Sequence, residues 1–230
     1  GRREYEGLGV DQAEARARFD ESMQVLKMLL KTGQCDFEGE HYNIRGLRLR
    51  PQLERDLSGN LWCAGGTQET VEITARHDIN PLIIPTQSLG LSLETARTYA
   101  RLHQAAGYEP SQCTLALWTY VAETEEEARR NAEQYMVEYA DSALRHYELL
   151  GSHLGGIKGY ESYGEVQKAL SKDASPFLRG FYNEHPWGTP DQVIARATEL
   201  AKEFGAREIS FIFKYGSMPI ETAEKSMQLF

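Results

Sequence analysis

"LWCAGGTQETVEITARHDINPLIIP", Leu61 to Pro85, is the stretch on which the fold turns. An apolar run ends in Gly65 and Gly66, Thr67 follows, an amphipathic helix is expected from about Gln68 to Arg76, and a second apolar run closes at Pro85. Strand, helix and strand in that order are the elements of a parallel βαβ unit. The glycine-opened helix start has two readings. One is an ordinary tight turn. The other is a phosphate seat: Gly65 and Gly66 let a ligand approach the backbone, Thr67 caps the helix and its hydroxyl joins unpaired amides, and the helix dipole favours negative charge.

Outward from this unit the alternation continues. The pattern predicts strands at 61–65, 81–85, 113–121 and 208–215. Helices are expected over about 93–106, from 125 to about 150, from Thr189 and from about Ile220. Thr124 with Glu127, and Thr189 with Pro190 and Gln192, are helix-start signals. Ala128, Ala132, Tyr135, Tyr139, Ala143 and Leu150 are the expected buried face of the long helix. Before the first strand, Asp11 to Glu14 reads as a capping box opening a helix whose apolar face is Phe19, Met23, Leu26 and Leu30, stopped by Gly33. The segment 35–52 reads as a short hairpin or irregular extension, and residues 1–10 as a polar loop. Residues 151–186, rich in glycine and aromatics, read as an irregular insertion with a short helix near 165–170, suited to be a lid. The whole, 1–230, reads as a single α/β domain with parallel strands inside and helices outside.

The chain has 230 residues, 41% hydrophobic and 26% charged, with a formal net charge of -9. That balance is ordinary for a globular domain, and the acidity argues against a nucleic-acid surface. No apolar stretch reaches the roughly 18 residues of a membrane span, and the polar start is no signal peptide. Cys35, Cys63 and Cys113 lie far apart with no CxxC, which suggests buried, reduced thiols and a cytoplasmic setting. The six histidines show no metal-ligand spacing, so no metal is expected. His103 and His146 are expected at the surface or at an interface, and His153 or His185 is a candidate proton carrier.

Five stretches together carry a resemblance: "GRREYEGLGVD…ARFDESMQVLKMLL", "FEGEHYNIRGLRLRPQ", "LWCAGGTQET", "GTPDQVIARATEL" and "KYGSMPIETAEKSMQLF". In this order the chain resembles the bacterial-luciferase-like, flavin-dependent monooxygenases. The resemblance implies a TIM-type (β/α)8 barrel. Four strands are half of the eight such a barrel needs, so the N-terminal strands, where several catalytic and flavin-facing residues of the family lie, are expected to be missing from this sequence. The catalytic residues therefore stay unassigned. Open strand edges call for a partner chain or self-association, so a homo-oligomer is expected.

The resemblance implies a monooxygenase using reduced FMN and dioxygen on a small organic substrate, with a flavin reductase as a candidate partner. The alternatives are a deazaflavin-dependent hydride-transfer enzyme and a truncated, non-catalytic flavin-binding remnant. Carried onto this chain, it gives Gly65, Gly66, Thr67 and Thr70 as phosphate contacts, with Arg2 or Arg3 as the cation. Ile84, Thr86 and Trp118 are candidates for an apolar floor under the flavin ring. Tyr215 and Gly216 fall where a barrel places its active-site loops.

Overall fold

The structure is a computed structural model that describes residues 2–86, 88–109, 111–147, 168 and 170–230, and of Arg2 and Arg3 the backbone alone. The predicted N-terminal loop is a helix, α1 (Arg2–Leu8). Asp11 caps a short 3-10 turn, Gln12–Glu14, by accepting from the Ala13 amide at 2.8 Å. The expected capping box does not form, because Glu14 turns forward to bind Arg18. α2 (Ala15–Thr32) ends at Gly33, whose φ of 76° is the left-handed stop a side chain would resist. Its buried residues are Val25 and Leu29, while Leu26 is exposed. The face turns because α2 packs on the antiparallel hairpin β1 (Gln34–Glu38) and β2 (Asn43–Arg48), where Cys35, Phe37 and Ile44 receive it.

The alternation then runs as expected. β3 (Trp62–Ala64) leads to α3 (Gln68–Arg76), β4 (Asn80–Ile83) to α4 (Leu89–Ala105), and β5 (Cys113–Trp118) through β6 (Tyr120–Val121) to α5 (Glu125–His146). α6 (Ser175–Glu184), β7 (Trp187–Gly188), α7 (Pro190–Phe204), β8 (Ala206–Ile212) and α8 (Ile220–Leu229) complete the described chain. Four strands form one parallel sheet in the order β3-β4-β5-β8. The sheet does not close on itself among the described residues.

The predicted strand 113–121 is interrupted at Thr119. Up to Trp118 it pairs with β8; beyond Thr119 it pairs with β7, the Ala122 amide donating to Gly188 O at 3.0 Å. β5 is one of the two inner strands, and Leu115 and Leu117 are both 0% exposed against Leu93, Leu200 and Phe204. Each such side chain contributes about 1.5–3 kcal/mol by leaving water. Trp118, on the opposite face by strand alternation, belongs to a second cluster with Met136, Phe181, Tyr215 and Met218.

Other expectations need correction. On α5 the buried stripe is Ala128, Ala132, Met136, Ala140 and Leu144. Tyr135, Tyr139 and Ala143 lie one residue aside and are only half-buried, since long phenols reach the core edge from the flank of a helix. Leu150 lies outside the described residues. Of the expected insertion 151–186, residues 151–167 and 169 lie outside the described residues, and so does His153. Lys168 and 170–172 are helical, and 175–184 form the regular helix α6. His103 is not at the surface: it is 3% exposed, stacked between Tyr99 and Tyr108, with Nε2 2.9 Å from Asp78 Oδ1. Its helix packs that face onto α3 and the strand ends.

Candidate functional site

The ends of β3, β4, β5 and β8 converge on one cavity of about 1270 Å³. Ala64 to Gly66, Ile84, Trp118 and Ile212 line it, so all four strands contribute their C-terminal ends, the face on which barrels carry their sites. α1, α2, α4, α5 and α6 supply further walls.

Its polar end is the start of α3. The Thr67 hydroxyl accepts from the Thr70 amide at 3.4 Å and lies 3.0 Å from the Thr70 hydroxyl. The first bond of the helix runs from the Val71 amide to Thr67 O at 3.0 Å. The Gln68 and Glu69 amides precede it and have no acceptor within the helix. A Cβ added to Gly66 would meet nothing within 4 Å, whereas one on Gly65 would run into the Thr70 methyl group. Gly65 therefore lets Thr70 tuck in, and Gly66 leaves open space in front of the helix dipole. Space, two hydroxyls and helix-end amides are what a phosphate monoester needs, so the residues present fit one.

Six sequence-predicted residues, Gly65, Gly66, Thr67, Thr70, Ile84 and Trp118, line this one cavity, and so does Thr86. Arg2 begins α1, whose Glu4, Tyr5 and Leu8 also line it; the Arg2 side chain lies outside the described residues. Tyr215 and Gly216 are not on its wall. Tyr215 is buried and donates to Thr119 O at 3.3 Å, and a Cβ on Gly216 would lie 3.6 Å from Tyr135 O. Both support the wall from behind.

Sequence reasoning missed Arg16. Gln12, Arg16 and Phe19, spaced four and three apart, put one face of the α2 region into the cavity. A cation on the stripe of Phe19 was the available signal. Cys63 was expected to be buried; it is half-buried and on the cavity wall. Burial pushes its thiol up, against the opposing pull of a Thr74 hydrogen bond and the Arg16 charge. Burial likewise raises Tyr139. Both groups stay protonated at neutral pH and neither is a ready nucleophile.

His185 sits just behind this wall. It is 2% exposed, with Nε2 3.2 Å from Pro85 O and the ring 4.5 Å from Phe181 and 5.1 Å from Trp118. A carbonyl partner makes Nε2 the protonated nitrogen of a neutral ring, and Nδ1 is buried with no partner. Burial lowers its pKa to about 4. The expected proton carrier near neutrality is thus a neutral clamp. Next to it, Glu184 accepts from the Leu89 amide at 2.7 Å. Together they fasten the end of α6 to the loop that carries Ile84 and Thr86.

Among the described residues, no three His, Cys, Asp or Glu side chains come together to hold a metal ion. No described helix is long and apolar enough to cross a membrane.

A family model described as luciferase-like monooxygenase matches residues 1–208. The chain is 31% identical over 122 residues to a pyrimidine monooxygenase, RutA, of Acinetobacter baylyi, a match covering 50% of this chain and 31% of that protein. The chain thus spans about a third of this curated relative's length. Among solved structures, the monooxygenase RslO1 from Streptomyces bottropensis superposes with a TM-score of 0.71 at 24% identity, over 99% of this chain and 63% of that one. A riboflavin lyase, RcaE, determined with a modified FMN and riboflavin, does so with a TM-score of 0.66 at 15% identity, over 90% and 55%. These superpositions show the luciferase-like TIM-barrel fold.

Proposed function

Since this chain belongs to the luciferase-like monooxygenase family, we propose that its cavity holds FMN and that the whole protein uses reduced FMN and dioxygen to oxygenate a small organic substrate. The observation that carries the reading is the pairing, within one cavity, of an anion seat at α3 with an apolar floor at Ile84 and Trp118.

In this reading the Thr67 and Thr70 hydroxyls and the first amides of α3 donate to the phosphate. Gly66 gives it room, and Gly65 keeps Thr70 in place. Arg16 supplies positive charge from α2, and Arg2 is proposed as a second cation from the start of α1. Ile84 and Trp118 lie under the ring and keep water from that face. When bound in reduced form, the flavin supplies the electrons for oxygen chemistry; the protein supplies position, electrostatics and a dry wall. The same proposal includes a separate reductase as the source of reduced flavin and a homo-oligomeric assembly. It also includes a cytoplasmic setting, which three cysteines outside any disulfide fit.

The test is a titration of the full-length protein with FMN, riboflavin and the deazaflavin F420 at low and high salt. A phosphate seat predicts FMN binding at least about tenfold tighter than riboflavin, with a gap that narrows as salt screens the charge. Equal affinity for FMN and riboflavin refutes the seat. Preferential binding of F420 replaces FMN with the deazaflavin alternative.

A further inference from the structure

The half of the cavity away from the α3 turn is aromatic, and its shape is specific. On α5, Tyr139, Ala143 and Tyr147 follow one another at steps of four, so they stack along one side of the helix. Tyr139 and Tyr147 are two turns apart, about 12 Å along the axis. Ala143, with a side chain of one methyl group, leaves a slot between them. Phe177 and Phe181, also four apart, face it from α6. The base is a packed triangle of rings: Trp118 lies 5.1 Å from Tyr139 and 5.0 Å from Phe181, and Tyr139 lies 5.9 Å from Phe181. Above that base, Tyr147 is 50% exposed and Phe177 is half-buried, so both keep ring surface turned to the cavity.

Tyr139, whose phenol pKa burial holds above its usual range, and Tyr147 both belong to this wall. The charged side chains on the cavity wall, among the described residues, are Glu4 and Arg16. Glu4 lies 3.5 Å from His146, which gives it a partner of its own. Arg16 is beside Cys63 at the α3 end.

We infer that the slot between α5 and α6 takes a planar, fused-ring aromatic substrate. This rests on the monooxygenase reading of the same cavity. Flat faces stack offset on Tyr147 and Phe177, a preference that linear chains do not share. A thin, extended alkane would leave the gap over Ala143 unfilled.

The test uses the full-length protein, with 2-naphthol and 1,4-naphthoquinone as probes, and 1-decanol and uracil as comparisons. Binding is followed by saturation-transfer NMR and calorimetry, and FMN affinity is measured in parallel. The two fused-ring probes are expected to bind at least tenfold tighter than the comparisons. Tyr147→Leu and Phe177→Leu should each weaken them by about three- to tenfold, with FMN affinity unchanged. Tyr147 is at the surface, so its variant should fold, and a urea titration verifies that both do. Equal binding of decanol and 2-naphthol overturns the inference. So does a loss of FMN affinity in Phe177→Leu, because the slot would then hold the flavin ring. If FMN binds nowhere while 2-naphthol keeps its preference and its dependence on Tyr147, the slot stands and the cofactor reading falls.

Discussion

His185 should make the protein unfold more easily in mild acid, by an amount the structure sets. Its ring is enclosed by Trp118, Phe181 and the Pro85 carbonyl, and burial brings its pKa from 6.5 to about 4. The Pro85 bond opposes that shift and the charge of Arg196 adds to it. In the unfolded chain the imidazole regains its ordinary value. Between the two pKa values the unfolded state therefore binds more protons, so the stabilising effect is complete above about pH 6.5 and declines as pH falls through the window to about 4. At 1.36 kcal/mol per unit, the whole window corresponds to about 3 kcal/mol, and its upper part, down to about pH 5, to about 2 kcal/mol. His185→Gln keeps an N–H donor for Pro85 but has no charge to acquire. Urea titrations of both proteins from about pH 7 to 5, followed by tryptophan fluorescence, give the comparison. The other histidines and all carboxylates are common to both, so their titration subtracts out. The stability difference should move in favour of the variant by about 2 kcal/mol as the pH falls. A difference that stays constant with pH refutes the buried, neutral assignment.

Three further outcomes are expected. Gly66→Ala should leave the urea midpoint unchanged, because its Cβ enters open space, and should weaken FMN binding about tenfold, the scale of one charge-assisted hydrogen bond; Gly65→Ala should instead destabilise the fold by about 1–3 kcal/mol, through collision with Thr70. Asp78→Ala should lower the thermal midpoint more than Asp78→Asn: both disturb the carboxylate that meets His103 and Lys27, but Asn tolerates the positive φ of 53° far better. Thr189→Ala should cost about 1 kcal/mol in denaturant unfolding, since Thr189 and Gln192 form a capping box at the start of α7.

What could be read from the sequence divides by how local the controlling contacts are. α3 was legible to the residue because its determinants are adjacent: Thr67 caps it, and its expected span, 68–76, is the span observed. The α7 start was legible for the same reason. α1 was not, because "RREYEGL" offers helix formers without a cap or an apolar stripe. α6 was read as irregular because it falls in a segment, 151–185, with six glycines and five aromatics, although Phe177 and Phe181 sit at helical spacing and Pro176 stands in its first turn. The break at Thr119 left no mark on an apolar run, since it arises where one strand exchanges β8 for β7 as its neighbour.

The site divides along the same line. The proposed phosphate seat is built from residues 65–70, so glycine spacing and a capping threonine were enough to raise it as an expectation. Arg16 and the slot residues reach the cavity from helices distant in sequence, and only the phase of each helix decides which side chains arrive. On α5 that phase matters most. With Met136, Ala140 and Leu144 as the buried stripe, Tyr139, Ala143 and Tyr147 fall one residue aside, on the less buried flank that borders the cavity. The residue offset that made the sequence reading of the α5 core wrong is therefore what opens the slot. A face centred on the tyrosines would have filled it. The proposed substrate preference thus depends on tertiary phase, and the proposed cofactor seat on local sequence, which is why the two can be tested apart.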